Sequence, residues 1–248
     1  MIRPFRAELH THTVLSPCAQ IEMIPPLIVR EALAHNIDLL AVTDHNATAN
    51  IVAVQNAARE TSLKILPGME LQTREEVHVL CIFDSLDQVQ ILQAAVDRLL
   101  PPITNNTEFF GEQFVVDETG DFIRNEDRLL LSSVDLSLND AWELVTGIGG
   151  LFIPAHVNRK AFGLLEILGF VPTDISVPAL EISRHLSPVQ AYEKFPQIKK
   201  YPLIQNGDVH GLDDFLASTT YYLEKPTVSE LRLALQSKEN RGFKIKTS

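Results

Sequence analysis

Short apolar runs typical of β-strands alternate with amphipathic stretches along most of this 248-residue chain, and this alternation limits its possible folds more than any other feature. The run LLAVT at 39–43 is typical of a buried strand, and a helix is predicted before it at about 24–36. Pro67-Gly68 is expected to stop the strand predicted at 63–66. Further strands are predicted at 63–66, 77–83, 151–154, 180–183 and 203–205, and further helices at 47–60, 86–100 and 227–237. Such alternation predicts parallel βαβ units and an α/β fold.

The segment 101–136 departs from this alternation. It contains Pro-Pro, Asn-Asn and Glu-Thr-Gly-Asp turn signals, and the runs QFVVD and DFIRN lie on either side of Thr119-Gly120. This pattern predicts a β-hairpin insertion. Because the segment is too short to build its own core, we expect a lid or an edge elaboration on a single domain that spans residues 1–248.

The composition limits the partners of the chain. Its 21 Lys+Arg against 32 Asp+Glu give a net charge of −11, which argues against a grip on long nucleic acids. A small phosphorylated substrate stays possible, because bound metal ions can make an acidic pocket locally positive. The apolar runs fall short of the roughly 20 residues that span a bilayer. We therefore expect a cytoplasmic protein without membrane contact, whose oligomeric state the sequence leaves open.

Six of the eight histidines lie in polar clusters at or just after the predicted strands, and Asp44, Glu70 and Asp208 lie in similar places. The clusters are His10 and His12 (ELHTHT), His45 (VTDHN), His78 (EVHVL), His156 (IPAHVNR) and His210 (NGDVHG). In a parallel α/β barrel the carboxyl ends of the strands share one rim, so these side chains should converge. Imidazole with carboxylate is a ligand set for zinc, manganese and iron, and two-metal sites are common in phosphoester hydrolysis.

Each cluster also has a structural interpretation. The pair His10 and His12 suits chelation on one strand face, yet paired histidines can equally be hydrogen-bonded structural residues. Asp44 has the place of a helix N-cap, and His78 in an apolar strand fits a core histidine. Asp208 with its neighbour His210 fits a turn after Asn206-Gly207. The joint occurrence of all these clusters at successive strand ends favours a metal site.

In this order the motifs resemble those of the PHP (polymerase and histidinol phosphatase) superfamily, from about Arg6 to His210. The resemblance implies a distorted (β/α)7 barrel with two or three divalent metal ions, namely zinc, manganese or iron. It also implies metal-dependent phosphoester hydrolysis. Within the superfamily the chain is similar to small stand-alone proteins described as phosphoesterases, whose substrates vary.

The resemblance also implies a ligand set. One metal would take His10, His12 and Asp208, with Glu70 as a bridging ligand. A second metal would take Glu70 with His78 and His156. A third would take His45 and His210 with a residue from the loop after the His10–His12 pair. Asp44 is expected beside these ligands, where it orients one of them or accepts a proton.

Two positions depart from the family pattern. Glu8 stands where the family usually has Asp, and Cys18 stands where some members place a third-site histidine. Cys18 as a thiolate ligand would favour zinc or iron; alternatively Glu22 ligates the third metal, or Cys18 is only a small buried residue. Cys81 in the run VHVLCIF is expected in the core.

The expected function is hydrolysis of a small phosphomonoester or nucleotide, in which a hydroxide that bridges two metals attacks phosphorus in line. Arg159 is expected to hold the phosphate, because a guanidinium can bind it through two parallel hydrogen bonds. His210 or Asp44 would relay the proton to the leaving group. The alternatives are a nuclease that acts on short oligonucleotides and a non-catalytic metal-binding regulatory protein.

Overall fold

The computed structural model describes residues 1–246. Strands and helices alternate up to about residue 72, as the apolar pattern predicts. The strands described in this range are β1 (Arg3–Thr11), β2 (Leu39–Val42), β3 (Lys64–Gln72), β4 (His78–Ile82), β5 (Phe114–Val116), β6 (Phe122–Asn125), β7 (Leu151–Pro154), β8 (Leu180–Ile182), β9 (Leu203–Gln205), β10 (Thr219–Leu223) and β11 (Gly242–Ile245).

Most of the α-helices described in residues 1–246 directly follow a strand. The α-helices in this range are α1 (Pro25–Ala34), α2 (Ile51–Ala57), α3 (Leu86–Leu99), α4 (Thr107–Phe110), α5 (Leu138–Gly147), α6 (Leu164–Leu168), α7 (Pro188–Lys194) and α8 (Val228–Leu235). Within residues 1–246, none of the helices is long and apolar enough to span a membrane.

Seven strands form one sheet in the order β11-β10-β1-β2-β3-β4-β7, and β8 pairs with β9 in a separate parallel pair. The large sheet curls into a half-barrel, which confirms the predicted α/β class and distorted barrel. Adjacent residues of a strand face opposite sides of the sheet. Leu40 accordingly packs in a hydrophobic cluster with residues of α1, α2, α3 and α5. Ala41 faces the other side of the sheet and packs in a cluster with residues of α8.

The predicted parallel pairing holds for only part of the sheet. β1, β2 and β3 are parallel, but β4 runs antiparallel to both β3 and β7, and β10 runs antiparallel to β1. The residues 73–77 that join β3 to β4 are too few for the crossover that a parallel pair requires. A short connection therefore turns β4 back alongside β3.

Pro67-Gly68 does not stop the third strand, because β3 continues through them to Gln72. The strand changes partner there: Pro67 is opposite Val42 of β2, and Gly68 is opposite Ile82 of β4. A β-carbon on Gly68 would lie 2.9 Å from Thr43 Cγ2 and 3.0 Å from the Val42 carbonyl oxygen, so only glycine permits this approach. The continued strand carries Glu70 to the rim.

The insertion 101–136 contains the predicted hairpin, with β5 antiparallel to β6, and also α4, which was not predicted. It attaches to loops at the rim. The Phe114 N–H donates to the Val14 carbonyl at 2.9 Å, and Asn50 Nδ2 donates to the Phe114 carbonyl at 3.0 Å. Asn46 Nδ2 donates to the Leu130 carbonyl at 2.8 Å. The insertion thus lies beside the loops that carry the polar clusters.

Candidate metal centre

Glu70 lies at the centre of the predicted site. Its carboxylate is 1% exposed, and ring nitrogens of five predicted histidines lie within 3.3 Å of it. Oε1 is 2.8 Å from His78 Nδ1 and 2.9 Å from His156 Nε2. The neighbours of Oε2 are His45 Nδ1 at 3.0 Å, His12 Nε2 at 3.2 Å and His10 Nε2 at 3.3 Å.

Asp208 supplies a second carboxylate. Its Oδ1 is 3.2 Å from His10 Nε2 and 3.6 Å from His12 Nε2. The ring of His210 stacks on that of His12, with centroids 4.0 Å apart. Asp208 adopts a φ of 52°, in the left-handed region that is costly for residues with a β-carbon. The backbone is therefore strained where it delivers this carboxylate.

Within residues 1–246, three groups of side chains have ligand atoms within 4.8 Å of one another. The first, of His10, His12, Glu70 and Asp208, coincides with the predicted first ligand set. The second joins His45 to Glu70 and His78, whereas His156 contacts Glu70 without joining a group. The third consists of His12, His45 and His210.

The donor set fits divalent cations. Several buried ligand atoms make no hydrogen bond with the described residues 1–246, although they lie close to one another. Each such atom costs about 1–3 kcal/mol when it is left unpaired in the interior. Ligand atoms that point at a common space, rather than at one another, suit a bound ion. They are His10 Nε2, His12 Nε2, His45 Nδ1, Glu70 Oε2 and Asp208 Oδ1.

The opposite ring nitrogens fix the tautomers of several histidines. His12 Nδ1 lies 2.9 Å from Ser16 Oγ, whose own hydroxyl donates to Asp44 Oδ1 at 2.7 Å. His210 Nδ1 lies 2.8 Å from the carbonyl oxygen of Asp208. Because these oxygens accept, Nδ1 carries the proton in both rings. The lone pair of Nε2 is then left for the centre.

In His78 the nitrogen that faces the centre is Nδ1, whereas in His12 it is Nε2. The Nε2 of His78 lies 3.1 Å from Gln72 Oε1, and Gln72 Nε2 donates to Ser133 Oγ at 2.8 Å. Ser133 therefore fixes the orientation of the amide, and Nε2 of His78 donates to it. Nδ1 of His78 is left to face Glu70. This contact connects the end of the insertion to the centre.

The electrostatics favour an ionised Glu70 and neutral rings at His45 and His210. Burial would raise the pKa of Glu70, but His78, His10 and His45 hold it well below its usual range. Burial lowers the pKa of His45 well below its usual range and lowers the pKa of His210 to about 4. The ionised Glu70 thus lies beside neutral His45 and His210, the forms that ligate, whereas the pKa values of His10 and His12 are raised.

Asp44 is buried and does not reach the centre directly. It accepts hydrogen bonds from the Thr13 N–H at 2.7 Å, from Thr13 Oγ1 at 2.8 Å and from Ser16 Oγ. Asp44 is connected to the ligand His12 through the hydroxyl group of Ser16, which hydrogen-bonds to both. This geometry suits an orienting role, whereas its role as a proton acceptor stays a prediction.

The two departures from the family pattern lie in different places. Glu8 is buried away from the ligands and accepts hydrogen bonds from the backbone N–H groups of Gly207, Leu216 and Ala217. Cys18 is exposed and lines the same cavity as His45, but its thiol belongs to none of the three groups. Glu22 is exposed and also outside them. Cys81 is buried in the core, as expected.

Two cavities open beside the centre. One, of about 190 Å³, is lined by Glu70, His78, His210 and Phe162, whose ring lies parallel to that of His78 with centroids 4.4 Å apart. The other, of about 260 Å³, is lined by Glu181, Arg184 and His185. His156, Arg159 and Asp208 line both cavities, and Arg159 Nη1 donates to Asp208 Oδ2.

Sequence reasoning missed three residues that orient ligands. Ser16 and Gln72 contact His12 and His78, and Glu181 contacts His10. For Glu181 a signal was present, since an acidic residue stands inside the otherwise apolar run ALEI of a predicted strand. A buried charge of this kind requires a partner. Ser16 and Gln72 carry no such signal, because both residue types are common in loops and at strand ends.

The sequence profile of the PHP domain family matches residues 8–149, more than half of the chain. The chain belongs to the PHP domain family. The predicted resemblance is therefore confirmed, and with it the enzyme class, because the family consists of metal-dependent hydrolases. Multiple divalent metals are used in the PHP family, in agreement with the ligand groups around Glu70. A search of curated proteins found no significant match.

Solved structures share the fold of this PHP domain at low identity. The lesion-specific endonuclease EndoQ from Pyrococcus furiosus superposes with a TM-score of 0.71 at 17% identity, over 98% of this chain. This chain spans only 58% of the length of that protein. An amidohydrolase from Chromobacterium violaceum superposes with a TM-score of 0.54 at 19% identity, over 83% of this chain and 87% of that one.

Proposed function

We propose that this PHP domain is a metal-dependent phosphoesterase that hydrolyses a small phosphomonoester or a nucleotide. The observation that carries the proposal is the convergence of unpaired buried nitrogen and oxygen atoms around Glu70. Membership of a family of metal-dependent hydrolases supports it. The two adjoining cavities, of about 190 and 260 Å³, suit a small ester with its leaving group.

Two or three divalent ions, of zinc, manganese or iron, would be held by the three ligand groups, with His156 as a further ligand beside Glu70. When bound, such ions would polarise the phosphoryl oxygens and lower the pKa of a water molecule so that it is a nucleophile near neutral pH. Glu70 would be a ligand of two ions. Its Oε1 faces His78 and His156, and its Oε2 faces the histidines of β1 and its following loop.

Arg159 is placed to hold the phosphoryl group. Among residues 1–246, its side chain makes one hydrogen bond, from Nη1 to Asp208. Nε and Nη2 are left to donate to two oxygens of one phosphate, and the Asp208 contact keeps the guanidinium at the cavity edge. We expect Arg159→Gln to raise KM at least tenfold without changing the number of bound ions, since a charge-assisted bond contributes about 1.5–3 kcal/mol. Titration of substrate with metal-loaded variant and wild type measures both.

The proposed proton relays are less well placed. Neutral His210 has its Nδ1 proton directed at the Asp208 carbonyl, and Asp44 lies behind Ser16, outside both cavities. The variants His210→Gln and Asp44→Asn therefore test whether each residue relays a proton to the leaving group or only orients a ligand. A relay variant should lose rate chiefly on esters with poor leaving groups, because only those need the proton.

The function is tested with purified protein loaded with Mn²⁺, Zn²⁺ or Fe²⁺ and assayed on phosphomonoesters, nucleotides and short oligonucleotides. We expect turnover of at least one small ester, and loss of that turnover on chelation and in Glu70→Gln. Glu193→Gln, on the exposed surface of α7 and outside the ligand groups, is the matched control and should retain activity. No turnover across the panel at full metal occupancy would contradict the proposal.

A nuclease is the second candidate, because the fold match to EndoQ covers nearly the whole chain. In another structure, Endonuclease Q holds a 27-mer duplex with an abasic lesion at its active site. The net charge of −11 opposes a grip on such a polymer. The same assay decides: a nuclease should cleave oligonucleotides faster than small esters, with rates that fall steeply as salt rises.

A further inference from the structure

Glu181 is a buried carboxylate outside the three groups of candidate metal ligands. It is the middle residue of β8 and is 1% exposed. The hydrogen bonds of its side chain with the described residues connect three segments that carry candidate ligands. A buried carboxylate needs such partners, because its desolvation is otherwise costly.

The first partner is the ring of His10 in β1. His10 Nδ1 lies 3.1 Å from Oε2 and 3.2 Å from Oε1 of Glu181. Because an ionised carboxylate only accepts, the proton of the ring is held on Nδ1. Nε2, which faces Glu70 and Asp208, is then the nitrogen that is left for an ion.

The second partner is the backbone of His156. Its N–H donates to Glu181 Oε2 at 2.8 Å. His156 adopts a φ of 28°, a conformation that costs about 1–3 kcal/mol for a residue with a β-carbon. The bond to Glu181 helps to retain this strained conformation, from which the ring reaches Glu70.

The third partner is Asn206, two positions before Asp208. Asn206 Nδ2 donates to Glu181 Oε1 at 2.7 Å, and its Oδ1 accepts from the Leu9 N–H at 2.9 Å. Glu181 and Asn206 together connect the ends of β1 and β9 to β8. The strand ends that deliver His10 and Asp208 are thereby held in register.

We propose that Glu181 is a positioning residue that holds His10 and His156 in the orientation in which they bind divalent ions. The inference rests on the metal centre of the proposed function. Carboxylates that accept the outer proton of a ligating histidine fix its tautomer and make it a stronger ligand.

A glutamine cannot replace this carboxylate. Three donors converge on its two oxygens, from His10, His156 and Asn206. An amide offers one oxygen and one NH₂ group, so at least one donor would face another donor. Glu181→Gln keeps the shape of the side chain and removes this pattern of acceptors.

Glu8 provides a matched control. It is also a fully buried glutamate close to β9, and it accepts hydrogen bonds only from backbone N–H groups in the described part of the chain. Burial raises the pKa of Glu8 to about 7, and Glu8→Gln therefore replaces a buried carboxyl group that accepts hydrogen bonds, without touching a histidine. A merely structural effect should appear equally in both variants.

Metal affinity is measured by competition with a chelator, using Zn²⁺ and then Mn²⁺, on wild type, Glu181→Gln and Glu8→Gln. We expect Glu181→Gln to weaken binding about 10- to 100-fold, as changes beside metal-bound histidines commonly do. Glu8→Gln should bind as wild type does, even where its melting temperature falls. In Zn²⁺-loaded wild type, imidazole ¹H–¹⁵N spectra should show the proton of His10 on Nδ1. This measurement uses the wild-type chain alone, so it does not depend on whether a variant folds.

Wild-type affinity in Glu181→Gln, an equal loss in Glu8→Gln, or a His10 proton on Nε2 would each overturn the positioning role. These results leave the proposed function intact. A wild-type chain that takes up no divalent ion would instead overturn the metal centre itself, and this inference with it.

Discussion

His10 and His78 lie at different oxygens of Glu70, and each is fixed through the ring nitrogen that faces away from it. Glu181, a carboxylate, holds His10, whereas Gln72, a neutral amide, holds His78. Burial opposes protonation of both rings, but Glu181, Glu70 and Asp208 raise the pKa of His10 well above its usual range. The pKa of His78 is lowered.

This difference predicts that the two sides of the centre bind their ions with different affinities. A carboxylate beside His10 both fixes the tautomer and increases the basicity of the ligand, whereas the amide beside His78 only fixes the tautomer. We expect the ion on the His10 side to bind more tightly. The ion on the His78 side should exchange more readily.

Replacement of Glu70 should have the largest effect, because this residue belongs to both sides. In Glu70→Gln one of the two charged oxygens becomes an NH₂ group among ring nitrogens. We expect loss of at least one ion and a fall in kcat/KM of roughly a thousandfold or more, since the ions contribute several kcal/mol. Metal content and steady-state rates measure this. Two tightly bound ions in Glu70→Gln would show that Glu70 does not join the two sides.

Gln72 tests the weaker side alone. Gln72→Leu removes the acceptor for His78 Nε2, so we expect one ion to bind about tenfold more weakly while the other is unchanged. Gln72→Glu should do the opposite, because it gives His78 a carboxylate like the one beside His10. Ion-by-ion titration calorimetry measures both. Equal weakening of both ions in Gln72→Leu would contradict the difference between the two sides.

Ser133→Ala is the milder form of the same change. Ser133 orients the Gln72 amide and comes from the end of the insertion. Its loss leaves the amide in place but free to rotate, so a smaller loss at the same ion is expected. An unchanged titration would mean that the insertion does not influence the centre.

Proton release distinguishes the two sides without any variant. The raised pKa of His10 means that this ring is charged at pH 7 in the metal-free protein, whereas His78, with a lowered pKa, is neutral. An ion that binds Nε2 of His10 must displace a proton, and one that binds His78 need not. Because the pKa of His12 is raised as well, calorimetry in buffers of different ionisation heat should show more protons released near pH 7 with the tighter ion than with the weaker one. The reverse order would mean that the tighter ion lies beside His78.

The sequence predicted the residues of the centre better than the contacts that orient them. Strand-end histidines and carboxylates stand out locally, because polar clusters follow apolar runs, and Glu70 and Asp208 were found in this way. The partners of these ligands depend on tertiary contacts: Glu181 meets His10 across 171 positions, and Ser133 meets Gln72 across 61. The antiparallel direction of β4 was missed because alternation of strands and helices does not specify it, although the short connection 73–77 does.

Cys18 should show the smallest effect. Its side chain is exposed at the cavity that Glu70 and His78 line, but its thiol lies outside all three ligand groups. We therefore expect Cys18→Ser to keep the number of bound ions, their affinities and the activity. Loss of one ion only in Cys18→Ser, seen in metal content, would instead assign the thiol to a third site with His45 and His210. Such a site would belong to neither side of Glu70. The centre would then hold three ions of different affinity instead of two.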